Sequence, residues 1–310
     1  MVALLLLLSP MALSQDLVNA ETEDEFLFTV ALGAELGGRT ISACTGSLIT
    51  PEVILTAAHC GGDFPIELVI TAGLAFFGDS VETAEKVGFS DGILHPDYVE
   101  LSNGIAGTLG RNDIGLLVLE EPVDWVEPVW IATESIDEIA EDATVTSIGF
   151  GVSNSAGGGS GIKRSAELVV DSVDETFLYS SSSTNDNGAN VCSGDSGGPQ
   201  VYWDGEKYVQ WAVHSWADQD CEMQSGSTRV DTVSEWILDQ LEDVHGTRDR
   251  CEMWGLYGDG VCDAECAADP DCAPKAKKEK AGACSVAPSH GNLWLVGLLA
   301  GLVGLRRRSV

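Results

Sequence analysis

Apolar residues recur along the chain in short runs, each closed by glycine, proline or aspartate. Phe26–Leu32, Val53–Thr56, Glu67–Thr71, Leu116–Leu119 and Tyr208–Val213 are rich in β-branched and aromatic side chains. Runs of this length and composition predict strands. Nothing alternates with them as a helix would in a βαβ unit, so the pattern predicts an all-β protein. The period changes once: Val233, Trp236, Ile237 and Leu241 recur three to four residues apart, predicting an amphipathic helix over 230–241 that turns these four inward. Two further apolar runs stand at the ends. Val2–Leu8, followed by Ala12-Leu13-Ser14, predicts a secretory signal over residues 1–14. Leu293–Leu305 is shorter than the ~20 residues a membrane-spanning helix needs, and Arg306, Arg307 and Arg308 follow it.

Charge sharpens this picture. The net charge is −33, and residues 17–245 hold 40 acidic against 7 basic side chains. Such a surface repels phosphates and argues against nucleic-acid binding. It fits a well-solvated protein in a salty medium that screens self-repulsion, and less well a field that steers basic substrates. Nine cysteines point to an oxidising compartment.

Three segments carry chemistry. Leu55-Thr56-Ala57-Ala58-His59-Cys60 supplies a histidine, Asn112-Asp113-Ile114-Gly115-Leu116-Leu117 an aspartate, and Asn190-Val191-Cys192-Ser193-Gly194-Asp195-Ser196-Gly197-Gly198-Pro199 a serine. Each alone reads as a core histidine, a strand-entry loop or a glycine turn. Together, in this order, they supply what a serine nucleophile requires: a base to take its proton and an acid to orient the base. Glycines around Ser196 let backbone N–H groups converge on one point, where they stabilise an oxyanion.

These segments resemble the trypsin-like, chymotrypsin-fold serine proteases over about residues 17–242. Gly194 to Pro199 reproduces the family's serine motif, and Asp113-Ile114-Gly115-Leu116 resembles its Asp-Ile-Ala-Leu. The resemblance implies two six-stranded antiparallel β-barrels with a C-terminal helix, and a protease domain over residues 17–245. It implies a triad of His59, Asp113 and Ser196, and an oxyanion hole from the N–H groups of Gly194 and Ser196. It also implies disulfides Cys44–Cys60 and Cys192–Cys221. Gly149-Phe150-Gly151 resembles the family's Gly-Trp-Gly turn, and His95 falls in its His-Pro loop rather than in the triad. For substrate binding it implies Asn190 at the pocket base, the strand Ser215-Trp216-Ala217, and Gly226 in the wall. Asn190 is neutral, so a preference for neutral side chains of modest size or polar character is expected. Leu17-Val18-Asn19-Ala20 resembles the mature start, whose new ammonium would pair with Asp195; no lysine or arginine precedes it. The implied activity is endopeptidase action on proteins or peptides. The alternative is a catalytically silent, protease-like binding or adhesion protein.

Beyond the protease region, Cys251, Cys262, Cys266 and Cys272 frame a small cysteine-rich module, residues 251–272, too short to bury a core without disulfides. Three pairings are open. The module resembles small Gly-Asp-Gly-x-Cys-Asp units such as the Notch-type repeat. Its acids Asp259, Asp263, Asp269 and Asp271 could offer oxygen to calcium, though solvated acids on a disulfide knot fit better, and no metal or other cofactor is expected. Residues 273–292 read as a linker containing Cys284, and 293–308 as an apolar segment with a basic end. Cysteine, apolar run and arginines together resemble a MYXO-CTERM-type sorting tail. That implies processing machinery, a membrane contact through the tail, and export to the cell surface, the outer membrane or the medium.

Overall fold

The computed structural model describes residues 21–22, 25–62, 66–101, 109–153, 157–185 and 188–272. The signal segment, Leu17, the linker, Cys284 and the apolar end lie outside them. Twelve strands close into two antiparallel barrels. The first comprises β1 (Thr29–Leu36), β2 (Arg39–Thr50), β3 (Val53–Thr56), β4 (Gly73–Phe77), β5 (Glu85–Leu94) and β6 (Gly115–Leu119), in the closed order β1-β2-β3-β6-β5-β4. The second comprises β7 (Thr144–Gly149), β8 (Arg164–Val173), β9 (Phe177–Ser181), β10 (Pro199–Trp203), β11 (Tyr208–Ala217) and β12 (Gln224–Arg229). Its order is β8-β7-β10-β11-β12-β9, and pairing of β8 with β9 closes it.

Strand β3 shows why an uninterrupted apolar run folds as a strand here. Ile54 points into the first barrel with Leu48, Phe77 and Leu117. Val53 and Leu55 point the other way, into a core shared with Ile148, Val201 and Val213 of the second barrel. Both faces are buried, so neither needs polar residues. Closing helix α2 (Ser234–His245) lies on this shared core through Ile237 and Leu241, with Val233 from the preceding turn. Trp236 is only half-buried and packs against His95, ring centroids 4.7 Å apart and planes tilted by 53°.

One expected strand is a helix. Ile66–Ala72 forms a short α-helix, α1, although Glu67–Thr71 has strand-like composition. Ile66 and Val69 stand three apart and seat α1 on the first barrel: Ile66 fills space beside Gly61 and Gly92 that a Cβ at either would contest. Gly73 follows because a Cβ there would meet the Val69 carbonyl oxygen at 2.3 Å. Burial of this face overrides the local strand preference.

The cysteine-rich segment is docked, not detached. Its disulfides are Cys251–Cys266 and Cys262–Cys272. Met253 joins the core between the barrels, and the Trp254 indole N–H donates to the Ile49 carbonyl at 3.0 Å. Arg250 lies 4.1 Å over Trp130, and Lys207 pairs with Glu265 at 2.6 Å. Among the described residues no helix is long and apolar enough to cross a membrane.

Candidate active site

Strand register creates the His–Asp pair. β3 and β6 are antiparallel neighbours, with Thr56 opposite Gly115. His59 follows the end of β3 and Asp113 precedes the start of β6, so the two meet at one barrel rim. His59 opens a one-turn helix, His59–Gly62, and its backbone N–H donates to Asp113 Oδ1 at 2.9 Å. The ring Nδ1 lies 2.8 Å from Asp113 Oδ2. Ser215 Oγ, from β11 of the other barrel, donates to the same Oδ2 at 2.6 Å. Asp113 is fully buried and accepts three hydrogen bonds, which compensate a buried carboxylate. The bond to Nδ1 fixes that nitrogen as the N–H and leaves Nε2 as the basic atom.

Ser196 stands on the loop entering β10, and the first barrel grips this loop. Thr45 N–H donates to the Ser196 carbonyl at 2.8 Å, and Thr45 Oγ1 donates to the Gly194 carbonyl at 2.8 Å. Between them, the Asp195 N–H donates to the Cys192 carbonyl at 3.0 Å. Among the described residues neither the Gly194 nor the Ser196 N–H donates to a protein acceptor. Glycine is required on both sides of the serine. Gly194 has φ +94 and Gly197 φ +83, and a Cβ on Gly197 would lie 2.1 Å from Thr56 Oγ1. Disulfide Cys44–Cys60 ties the Thr45 strand to the His59 turn, and Cys192–Cys221 anchors the serine loop.

Asp195, between Gly194 and Ser196, turns inward and is buried. Oδ1 accepts from Gly151 N–H at 2.8 Å and Oδ2 from Cys192 N–H at 2.9 Å. Burial pushes its pKa up to about 7, against the lowering effect of these bonds and of the Arg164 charge.

Asn190 is fully buried and both polar atoms of its carboxamide lack a partner among the described residues. Trp216 pairs with Gly226, and a Cβ on Gly226 would meet the indole Nε1 at 2.3 Å. Side chains alternate along a strand, so Gly226 shares the Trp216 face while Ser225, paired with Ala217, lies on the opposite one. Ser225 is buried, and its hydroxyl lacks a hydrogen-bond partner among the described residues. Thr45 and His214 were silent in the sequence. Ser215 was expected at the substrate backbone, yet its hydroxyl also holds Asp113.

The cysteine-rich segment's acids hold its own turns. Asp259 accepts from Val261 N–H, Asp271 from Gly260 N–H, and Asp269 from the N–H groups of Asp263 and Asp271. Asp263 is raised above the ordinary carboxylate range by burial and by the neighbouring acids.

Over residues 21–237 the sequence matches the family model described as Trypsin. The chain belongs to the trypsin family. A trypsin from Saccharopolyspora erythraea is 29% identical over 184 residues, 56% of this chain and 75% of that protein. A brachyurin from Leptuca pugilator is 28% identical over 207 residues, covering 64% and 87% respectively. A CLIP domain-containing serine protease B10 from Anopheles gambiae is 26% identical over 239 residues, covering 66% and 63%. As a trypsin-family member the chain is a serine-type endopeptidase.

His214 yields a stability prediction. Burial depresses its pKa to about 3 from 6.5, and Nδ1 sits 3.1 Å from Ser227 Oγ. The fold therefore holds it neutral. Its contribution is complete above pH ~6.5 and is lost as pH falls toward 3, amounting there to about 5 kcal/mol. Asp195 has the opposite sign: its raised pKa favours the fold below pH ~4, and that advantage fades as pH rises through about 7. Thermal melts of His214→Leu between pH 3 and 8 should show a flatter acid limb than wild type. Parallel acid limbs would reject the assignment to His214.

Proposed function

We propose that this trypsin-family endopeptidase cuts proteins or peptides through Ser196, His59 and Asp113 and an acyl-enzyme. The observation that carries the reading is the buried Asp113 carboxylate, held by His59 from one barrel and Ser215 from the other. Ser196 Oγ attacks the scissile carbonyl while His59 Nε2 takes its proton, then passes it to the leaving amine. Asp113 keeps the proton on Nδ1 and stabilises the imidazolium. The N–H groups of Gly194 and Ser196 receive the oxyanion. Water then repeats the sequence on the acyl-enzyme. The rival reading, a silent protease-like binding protein, needs a missing group, and His59, Asp113 and Ser196 are all present. A fluorophosphonate probe should label Ser196 in the wild type and leave Ser196→Ala unlabelled. An unlabelled wild type favours the rival.

Activation is assigned to a new ammonium at Leu17 pairing with Asp195. Neutral Asn190, with the Ala217 methyl group where the family usually has glycine, supports a preference for neutral side chains. A peptide library cleaved only after lysine or arginine would reject that preference. The four disulfides fit an oxidising compartment. Export, with tethering through the Cys284 tail, completes the proposal.

A further inference from the structure

We propose that the cleft between the cysteine-rich segment and the protease core is the docking site of the chain's own lysine-rich stretch, Lys275 to Lys280, and so fixes where the C-terminal tail leaves the protease.

The cleft holds about 680 Å³. It is lined by segment 123–130, which leads from the first barrel to the second, by Glu206 and Lys207, and by parts of the cysteine-rich segment. Six carboxylates face it: Asp124, Glu127, Glu206, Asp259, Asp263 and Glu265. Two are committed within the fold, Glu265 to Lys207 at 2.6 Å and Asp259 to the Val261 N–H at 2.8 Å. Lys207 is the sole cation among the described lining residues, and that pair occupies it. The exposed carboxylates of Asp124, Glu127 and Glu206 have no ion pair or hydrogen bond among the described residues. Asp263 shows the same lack of positive charge from inside. Its Oδ2 is closed to solvent yet has no partner among the described residues, and burial and the surrounding acids raise its pKa above the ordinary carboxylate range.

The aromatic side chains of the cleft favour a cationic occupant too. Trp130 already carries Lys207 at 3.9 Å and Arg250 at 4.1 Å from its ring centroid, so cations bind here on an indole face. Trp125 is 50% exposed at the cleft. Past Glu206 and Lys207 the cleft continues into a second hollow of about 370 Å³, edged by Trp203, 51% exposed. A lysine satisfies both features at once: its ammonium meets a carboxylate while its aliphatic stem lies along an indole.

The sequence supplies that occupant at the right place. Lys275-Ala276-Lys277-Lys278-Glu279-Lys280 gathers four of the chain's 16 basic side chains into one short stretch. Cys272, the last residue described, is bonded to the lining residue Cys262, with Cα atoms 4.5 Å apart. Lys275 follows three residues later, a reach of ~10 Å when extended. The stretch therefore starts at the cleft, and a tether this short gives it an effective concentration of millimolar order. Ion pairs that are weak singly can then hold it. The rest of the surface is acidic as well, but the cleft adds the indoles and the tether. Docking gives the tail one exit from the protease and shields its lysines from other proteases; rising salt releases it. It depends on neither the triad chemistry nor the fate of Cys284, which lies further along the chain.

The test uses the full chain as Ser196→Ala, which removes self-cleavage. A carbodiimide joins an amine to a carboxylate only where the two meet. At low salt, mass spectrometry should find the 275–280 lysines joined to Asp124, Glu127, Glu206 or Asp263, beside the Lys207–Glu265 link that their contact predicts. The linker products should vanish at about 0.5 M salt, where the screening length shrinks to about 4 Å. An added lysine-specific protease should cut the stretch about tenfold faster once Asp124→Asn, Glu127→Gln and Glu206→Gln are combined, the summed loss of three weak surface pairs. The melting temperature of this triple variant should match its parent, since all three side chains are exposed. Linker products scattered over acids outside the cleft would overturn the proposal, as would cleavage that ignores the triple variant. In a mixture of isotopically light and heavy protein the products should stay within one label; mixed-label products would give the cleft to a second copy and overturn the intrachain assignment.

Discussion

Ser196→Ala is expected to lower kcat by about 10⁶-fold while leaving KM and the melting temperature near wild type. The serine is half-buried and its backbone, not its hydroxyl, is what Thr45 holds. Removing Oγ therefore deletes the nucleophile without disturbing the loop. Some catalysis over water should survive, about 10³-fold, because the Gly194 and Ser196 N–H groups can still polarise a bound carbonyl. His59→Ala should fall to a similar level, and the double variant should be no worse, since a nucleophile and its base act as one unit. Single-turnover kinetics on a peptide anilide measures this. A Ser196→Ala enzyme within tenfold of wild type would mean that another group attacks the substrate.

The two barrels follow from the resemblance carried by three short segments, and composition supports it. Val53–Thr56 is a strand with the expected ends, and Leu116–Leu119 and Tyr208–Val213 fall inside longer strands. Short-range pattern works there because both faces of those strands are buried. It fails at Glu67–Thr71, where docking on the barrel, not propensity, decides the conformation. The site divides the same way. His59, Asp113 and Ser196 are legible because their immediate neighbours repeat a family motif. Thr45 and Ser215 act through partners far away in the chain: Thr45 reaches Gly194 across 149 positions and Ser215 reaches Asp113 across 102. Their roles depend on register, which a lone residue in a sequence does not display. The cysteine-rich segment shows the same limit. Its spacing called for disulfides, but the pairing needed the fold, and nothing local indicated that Met253 and Trp254 would complete the protease core.

Asp113→Asn should cost about 10⁴-fold in kcat at neutral pH, with the fold intact. The carboxamide is isosteric, and the argument rests on which groups donate to it. His59 N–H, Ser215 Oγ and His59 Nδ1 all converge on this side chain, the last two on the same oxygen. An ionised carboxylate accepts from all three. An asparagine has one oxygen and one NH₂, so whichever way it turns, one of its ends faces a donor. The His59 backbone N–H cannot reverse, which holds the amide oxygen toward it. The NH₂ then points at Nδ1 and imposes the other tautomer, with the proton on Nε2 facing Ser196. A protonated Nε2 cannot accept the serine proton. The defect is one of tautomer, so it should ease at high pH, where hydroxide can remove the serine proton directly. The pH–rate profile of Asp113→Asn should therefore keep rising above pH ~9 while the wild type levels off. A deficit that stays constant across the profile would assign Asp113 a role in charge stabilisation alone.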